Sequence, residues 1–334
     1  MQIELHNVVC KETNAENGFT FLYRFPKTLI PHLGYQTNQK GKQKALTSSG
    51  VEIRILTSSP VLTIDLLAVS ESTFVMTYIG DFEYKRIFLP KDQVVSVEIQ
   101  HHDRMIRMDE NKLPHRRFSS NMYRILAEGA ATVGYKLKSD LSHETLSVFK
   151  PDTCICAYGS SITQGVGASS NMNSYLQTFA NYANLEVLNK GMSGSCLCEK
   201  EMVDFLATVS CDAYLLELGC NMRGVMDQQE FQKRVTYLLQ TLQQTNRPIF
   251  LIDMLSFFNQ AYAHLEAEYK QISLDFSQIL SDLSKQFPSV HLILSSDLLE
   301  DVTCISYDML HPSEYGHQIM GRNLAKAIKQ YLNH

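Results

Sequence analysis

The sequence predicts a two-part chain: an all-β sandwich over residues 1–148, then an α/β domain built on a parallel sheet over residues 149–334. Three observations predict this. Short alternating or β-branched runs, split by polar turns, fill the first part. From residue 152 onward, short apolar runs alternate with longer segments of helical period. The 334 residues are 44% hydrophobic and 19% charged, which is enough apolar material and length for about two packed domains.

In the first part the runs are 51–57 (VEIRILT), 62–69 (LTIDLLAV), 73–79 (TFVMTYI), 84–89 (YKRIFL) and 94–99 (VVSVEI). Their close, repeated spacing is that of an antiparallel sandwich. The polar stretch 37–49 (TNQKGKQKALTSS) reads as a loop. In the second part, strands are expected at 153–157, 186–188, 213–218, 248–254 and 290–294. Helices are expected at 174–183, 229–244, 260–285 and from 313 onward, where Met320, Leu324, Ala327, Ile328 and Tyr331 share one face. Alternation of this kind gives a parallel sheet covered on both faces. Chemistry is then expected beyond the carboxyl ends of the strands.

Bulk properties narrow the function. A formal net charge of -5 argues against nucleic acid as the main partner, since such proteins carry a basic face. No signal-peptide pattern and no run of ~18 apolar residues occurs, so a cytoplasmic location without membrane insertion is the expectation. The eight cysteines (10, 154, 156, 196, 198, 211, 220, 304) lack zinc-site spacing and read as buried free thiols.

Each expected strand end delivers polar residues. The first gives Tyr158-Gly159-Ser160-Ser161-Ile162-Thr163-Gln164-Gly165, the second Asn189-Lys190-Gly191-Met192-Ser193-Gly194, and the third Glu217-Leu218-Gly219-Cys220-Asn221-Met222. Asp308-Met309-Leu310-His311-Pro312 precedes the last helix. Singly these are ordinary turns and caps. Together, at one edge of one sheet, they supply a hydroxyl, a base, a carboxylate and oxyanion donors, the parts of acyl transfer.

In these four segments the chain resembles the SGNH (GDSL-like) hydrolase superfamily. Gly159-Ser160-Ser161-Ile162-Thr163 looks like its first block in a GSSIT variant; Gly194, Asn221 and Asp308-x-x-His311 look like the others. With the upstream β-rich region, the chain is similar to a bacterial GSSIT-type branch carrying an N-terminal sandwich. Ser160 stands where GDSL has Asp, and Met222 where an acidic residue often follows the Asn. The resemblance implies a flavodoxin-like, three-layer α/β/α domain behind a jelly-roll-like sandwich. It also implies site roles: Ser161 as nucleophile, His311 as base, Asp308 as its orienting acid, and an oxyanion hole of the Ser161 and Gly194 N–H groups with the Asn221 amide. No metal or organic cofactor is implied.

Ser160, Glu217 and Arg223 are expected behind the site or against a polar substrate; His317, six residues past His311, is expected to be structural. His101, His102 and His115 lie in a charged stretch expected to be a solvated loop or helix. The leading function is a serine esterase for a small acyl group, acetyl first, on a carbohydrate or polyol. The absence of Trp removes the commonest sugar-stacking residue. The alternatives are a GDSL-type lipase, lysophospholipase or acyl-thioesterase, and a binding module on a retired hydrolase fold. The oligomeric state is open, and the sandwich is expected to be structural rather than a carbohydrate-binding module.

Overall fold

The computed structural model describes residues 2–138, 149–255 and 267–332. They cluster into two compact units: residues 1–27 with 45–152, and residues 28–44 with 153–334. Thr28–Lys44, expected with the sandwich, thus packs with the second unit. The expected boundary at 148 and the start of the helix expected from 260 lie outside the described residues.

The first unit holds ten strands: β1 (Gln2–His6), β2 (Cys10–Thr13), β3 (Thr20–Tyr23), β4 (Glu52–Leu56), β5 (Val61–Val69), β6 (Thr73–Ile79), β7 (Phe82–Leu89), β8 (Val94–Gln100), β9 (Met122–Ala127) and β10 (Thr132–Leu137). They form two antiparallel sheets, β1-β4-β9-β6-β7 and β2-β3-β10-β5-β8. Period-two alternation turns Leu62, Ile64, Leu66 and Ala68 of β5 into one core with Ile53, Ile55, Val75, Ile125 and Val97. The charged stretch after β8 forms the short helix α2 (Asp103–Ile106), capped by His102; His101 stacks on Tyr123 at 5.2 Å between centroids.

In the second unit the short helix α1 (Lys40–Lys44) comes from the early segment. The α/β part follows as β11 (Cys154–Gly159), α3 (Ser161–Gln164), α4 (Tyr175–Ala183), β12 (Glu186–Gly191), α5 (Lys200–Thr208), β13 (Ala213–Glu217), α6 (Gln228–Gln243), β14 (Ile249–Ile252), α7 (Ala267–Ser284), β15 (Val290–Ile293), α8 (Ser295–Leu298) and α9 (Glu314–Leu332). The sheet is parallel, in the order β12-β11-β13-β14-β15. The chain therefore leaves β11 toward one side and returns to the other. That reversal opens a crevice at the carboxyl ends of β11 and its neighbours.

Alternate residues of the strands build the layers. Ile155, Ala157, Leu215, Phe250 and Ile252 pack with Tyr175, Leu176 and Phe179 of α4 and with Met320, Leu324 and Ile328 of α9. Leu216 and Leu251 point to the other face, and the buried sides of α5, α6 and α7 supply Val203, Leu206, Leu238 and Leu280.

Candidate active site

Ser161 opens α3 directly beyond β11. The turn is tight because Ser160 caps the helix, its Oγ accepting from Ile162 N at 3.1 Å. Two glycines permit the fold-back. A Cβ at Gly159 would lie 2.1 Å from Thr163 Oγ1, and one at Gly191 would lie 2.4 Å from Gln164 N. No side chain larger than hydrogen fits either place.

Glu217, at the end of β13, ties the turn from beneath. Its Oε2 accepts from Ser160 N at 2.7 Å, Ser160 Oγ at 2.6 Å and Thr163 Oγ1 at 3.1 Å. Complete burial pushes the Glu217 carboxyl upward in pKa, against the pull of those hydrogen bonds. Ser160 and Glu217 are both sealed from solvent, so they position Ser161 and are out of a substrate's reach. Arg223 is buried too, with Nη1 donating to Ser273 Oγ on α7 at 3.4 Å; it does not face solvent as a polar-substrate contact would.

The segment before α9 brings His311 to Ser161. Ser161 Oγ lies 2.8 Å from His311 Nε2, and His311 Nδ1 lies 2.6 Å from Asp308 Oδ2. The other oxygen, Asp308 Oδ1, accepts from Ser306 Oγ at 2.6 Å, Leu310 N at 2.9 Å and His311 N at 3.0 Å. Partial burial works against the charge. The hydrogen bonds from Ser306, the His311 ring and the two backbone N–H groups outweigh it and hold Asp308 well below the usual carboxylate range. An ionised Asp308 accepts the Nδ1 proton, which leaves Nε2 as an acceptor facing the Ser161 hydroxyl.

Two further segments reach the same edge. Gln164 Oε1 accepts from Ser193 N at 3.0 Å, tying the turn that carries Gly194 to α3. Asn221 Oδ1 accepts from Cys196 N at 3.0 Å, which fixes the amide with Nδ2 on its other side. Among the described residues neither Gly194 N–H nor Asn221 Nδ2 has an acceptor, and Ser161 N–H heads a helix with none inside it. A hydroxyl on an oriented imidazole beside such donors can form and stabilise a tetrahedral adduct at a carbonyl.

Three further residues hold the site together, and of these only His317 was singled out in the sequence, as structural. His317 of α9 is buried; its Nδ1 accepts from Tyr175 N at 3.1 Å and its Nε2 bonds Val166 O at 3.0 Å. Burial lowers its pKa to about 4, so it is a neutral clasp between α9, α4 and the loop after α3. Gln164 and Asn38, whose Nδ2 donates to Gly194 O at 2.9 Å, act through tertiary approach. Only the block spacing around them could have hinted at Gln164.

Fold and site together define an ester-hydrolysing enzyme of the three-layer α/β/α class. The model of the GDSL-like Lipase/Acylhydrolase family matches residues 152–329, more than half the chain, and the chain belongs to that family. No curated protein matches in sequence. Among solved structures, the salicylyl-acyltransferase SsfX3 from a tetracycline biosynthetic pathway is similar over 98% of this chain and 94% of its own, at 15% identity and a TM-score of 0.77. A protein described as a GDSL-like lipase, from Bacteroides ovatus, is similar over 99% and 98%, at 17% identity and a TM-score of 0.68. A family two carbohydrate esterase from Clostridium thermocellum, solved with cellohexaose, is similar over 86% and 94%, at 13% identity and a TM-score of 0.61. At these identities the likeness is one of fold. Among the described residues no helix is long and apolar enough to cross a membrane.

Proposed function

We propose that this protein is a serine esterase that works through an acyl-enzyme, with Ser161 as nucleophile. The observation that carries the reading is the unbroken relay of short contacts, Ser161 Oγ to His311 Nε2 at 2.8 Å and His311 Nδ1 to Asp308 Oδ2 at 2.6 Å. His311 takes the Ser161 proton as Oγ attacks the ester carbonyl, and Asp308 stabilises the imidazolium that forms. The carbonyl oxygen becomes an alkoxide between the N–H groups of Ser161 and Gly194 and the Asn221 amide. His311 then gives its proton to the leaving alcohol. Water, activated by the same base, releases the acid and restores Ser161.

The substrate we favour is a small acyl ester of a carbohydrate or polyol, with acetyl as the simplest acyl group. Its support is the sandwich-plus-α/β architecture shared with family two carbohydrate esterases, an analogy of fold. A second reading, an ester or thioester with an apolar portion, is favoured by a specific feature. Val166, Tyr307, Met309, Leu310 and Tyr315 are all exposed around the His311 loop, an apolar rim on the side where the leaving group departs.

Covalent labelling by a fluorophosphonate, lost in Ser161→Ala, tests the nucleophile; labelling that survives the substitution would refute it. Specificity constants for 4-nitrophenyl acetate and octanoate test the small-acyl reading, and those for ethyl and octyl acetate test an apolar alcohol against the rim. A strong octanoate preference would overturn the small-acyl assignment.

A further inference from the structure

The segment 28–44 lies against the turn that carries Gly194. Three interactions anchor it. Gly34 N donates to Glu199 Oε1 at 2.8 Å. Asn38 Nδ2 donates to Gly194 O at 2.9 Å. The Tyr35 ring lies under the Arg234 guanidinium, 4.4 Å from its centroid. Behind them Leu33 is buried, and Gly41 lies next to Ser195, where an added Cβ would be in ordinary contact with the Ser195 Cβ at 3.7 Å. The anchoring places one exposed side chain beside the site. A Cβ built on Gly194 would lie 3.4 Å from Lys40 Cδ and 3.9 Å from Lys40 Nζ. The Lys40 stem thus covers Gly194, and its ammonium stands at the rim. Among the described residues no carboxylate pairs with it.

We propose that Lys40 is a specificity residue that recognises a carboxylate on the acyl portion of the substrate, so that the preferred esters are hemiesters of short dicarboxylic acids. The proposal rests on the serine-esterase reading of Ser161 and goes beyond it in naming the acyl class. In the tetrahedral adduct the oxyanion sits at Gly194 N–H and the leaving oxygen must face His311 Nε2, which consigns the alcohol to the His311 side. We assign the acyl substituent the remaining direction, along the side of Gly194 where the Lys40 side chain lies. A carboxylate a few methylenes from the ester carbonyl then meets an ammonium with three free donors. The attraction discriminates against neutral acyl groups of the same size. Because the ammonium is at an exposed rim, its effect is modest and salt-sensitive.

The test uses the full chain and two esters that release ethanol: monoethyl succinate, and ethyl levulinate, which replaces the carboxylate by an acetyl group of similar shape. The expected result is a wild-type specificity constant several-fold higher for the hemiester. Lys40→Met, which keeps the unbranched stem over Gly194, is expected to lower the hemiester-to-levulinate ratio about threefold, to near one, and Lys40→Glu to invert the preference. The wild-type ratio falls as sodium chloride is raised toward 1 M. Lys42→Ala, on an exposed neighbour in α1, leaves the ratio unchanged. Equal ratios in wild type and Lys40→Met overturn the proposal, as does wild type with no hemiester preference while it still hydrolyses 4-nitrophenyl acetate. Failure to turn over 4-nitrophenyl acetate as well would instead strike the serine-esterase reading itself.

Discussion

Replacing Asp308 by Asn exchanges one carboxylate oxygen for an NH₂ group and, by the hydrogen-bond pattern, disables the proposed base. Asp308 Oδ1 is claimed by three donors, Ser306 Oγ, Leu310 N and His311 N. The two backbone N–H groups can only donate, so the amide oxygen of the variant is held in that place. Its NH₂ group must then face His311 Nδ1, 2.6 Å away in the wild type. Nδ1 is forced to accept, and the single imidazole proton moves to Nε2, which faces Ser161 Oγ at 2.8 Å. A base that presents a proton to its nucleophile cannot remove one. The expected loss in kcat is about 10⁴-fold, or about 5.5 kcal/mol of barrier, with little change in fold. Steady-state hydrolysis of 4-nitrophenyl acetate measures it. Asp308→Ala, which removes the orienting group without enforcing the wrong tautomer, should be no slower than Asp308→Asn. An Asn variant that keeps more than a tenth of wild-type kcat would refute the tautomer argument.

Asn221→Ala removes a proposed oxyanion donor and should lower kcat by about 10²- to 10³-fold with a small effect on KM; a change confined to KM would move Asn221 out of the transition state. For His317 the sign is set by a folded pKa of about 4 against an ordinary 6.5. Its contribution is full above pH 6.5 and is lost as pH falls from there toward 4. Between pH 7.5 and 5 this amounts to about 2 kcal/mol. Denaturant unfolding followed by tyrosine signals, the chain having no Trp, should show wild type losing that much more than His317→Asn over the interval. Parallel pH dependence in the two proteins would exclude His317 as the clasp.

Legibility in the sequence follows how local each determinant is. Strands β4 to β8 were visible because their alternation or apolar content stands out between polar turns. Strands β9 and β10 were hidden for physical reasons. In β9, Arg124 is buried and pairs with Glu52 across the sheet, so a charge sits where an apolar residue is expected. In β10, Gly134 breaks the run, and its missing side chain is filled by the Phe21 ring, 2.8 Å from where a Cβ would lie. The edge strands β1 and β2 are short and contain no buried residue, which leaves little pattern to find.

At the site, Ser161, His311 and Asp308 were legible because each sits in a short motif whose order along the chain fixes which strand end delivers it. Glu217 was legible only as an acid ending an apolar strand; that it holds Ser160 and Thr163 follows from the pairing of β11 with β13. Asn38 was not legible at all. Its segment reads as a polar loop of the sandwich, and its contact with Gly194 spans 156 residues.

The placement of residues 28–44 bears on how the chain can be cut and made. The two units are not separated by a single breakpoint: the chain crosses between them after residues 27, 44 and 152. A truncation that discards the sandwich wholesale also discards the clamp on Gly194, so a minimal catalytic fragment has to carry residues 28–44 as a graft or as an added peptide. During synthesis the same segment emerges early and waits for partners 156 and 165 residues downstream. Closing loops of that length is a late event. The final assembly of the turn beside Ser161 therefore waits for residues 194–199 rather than for the folding of the first unit.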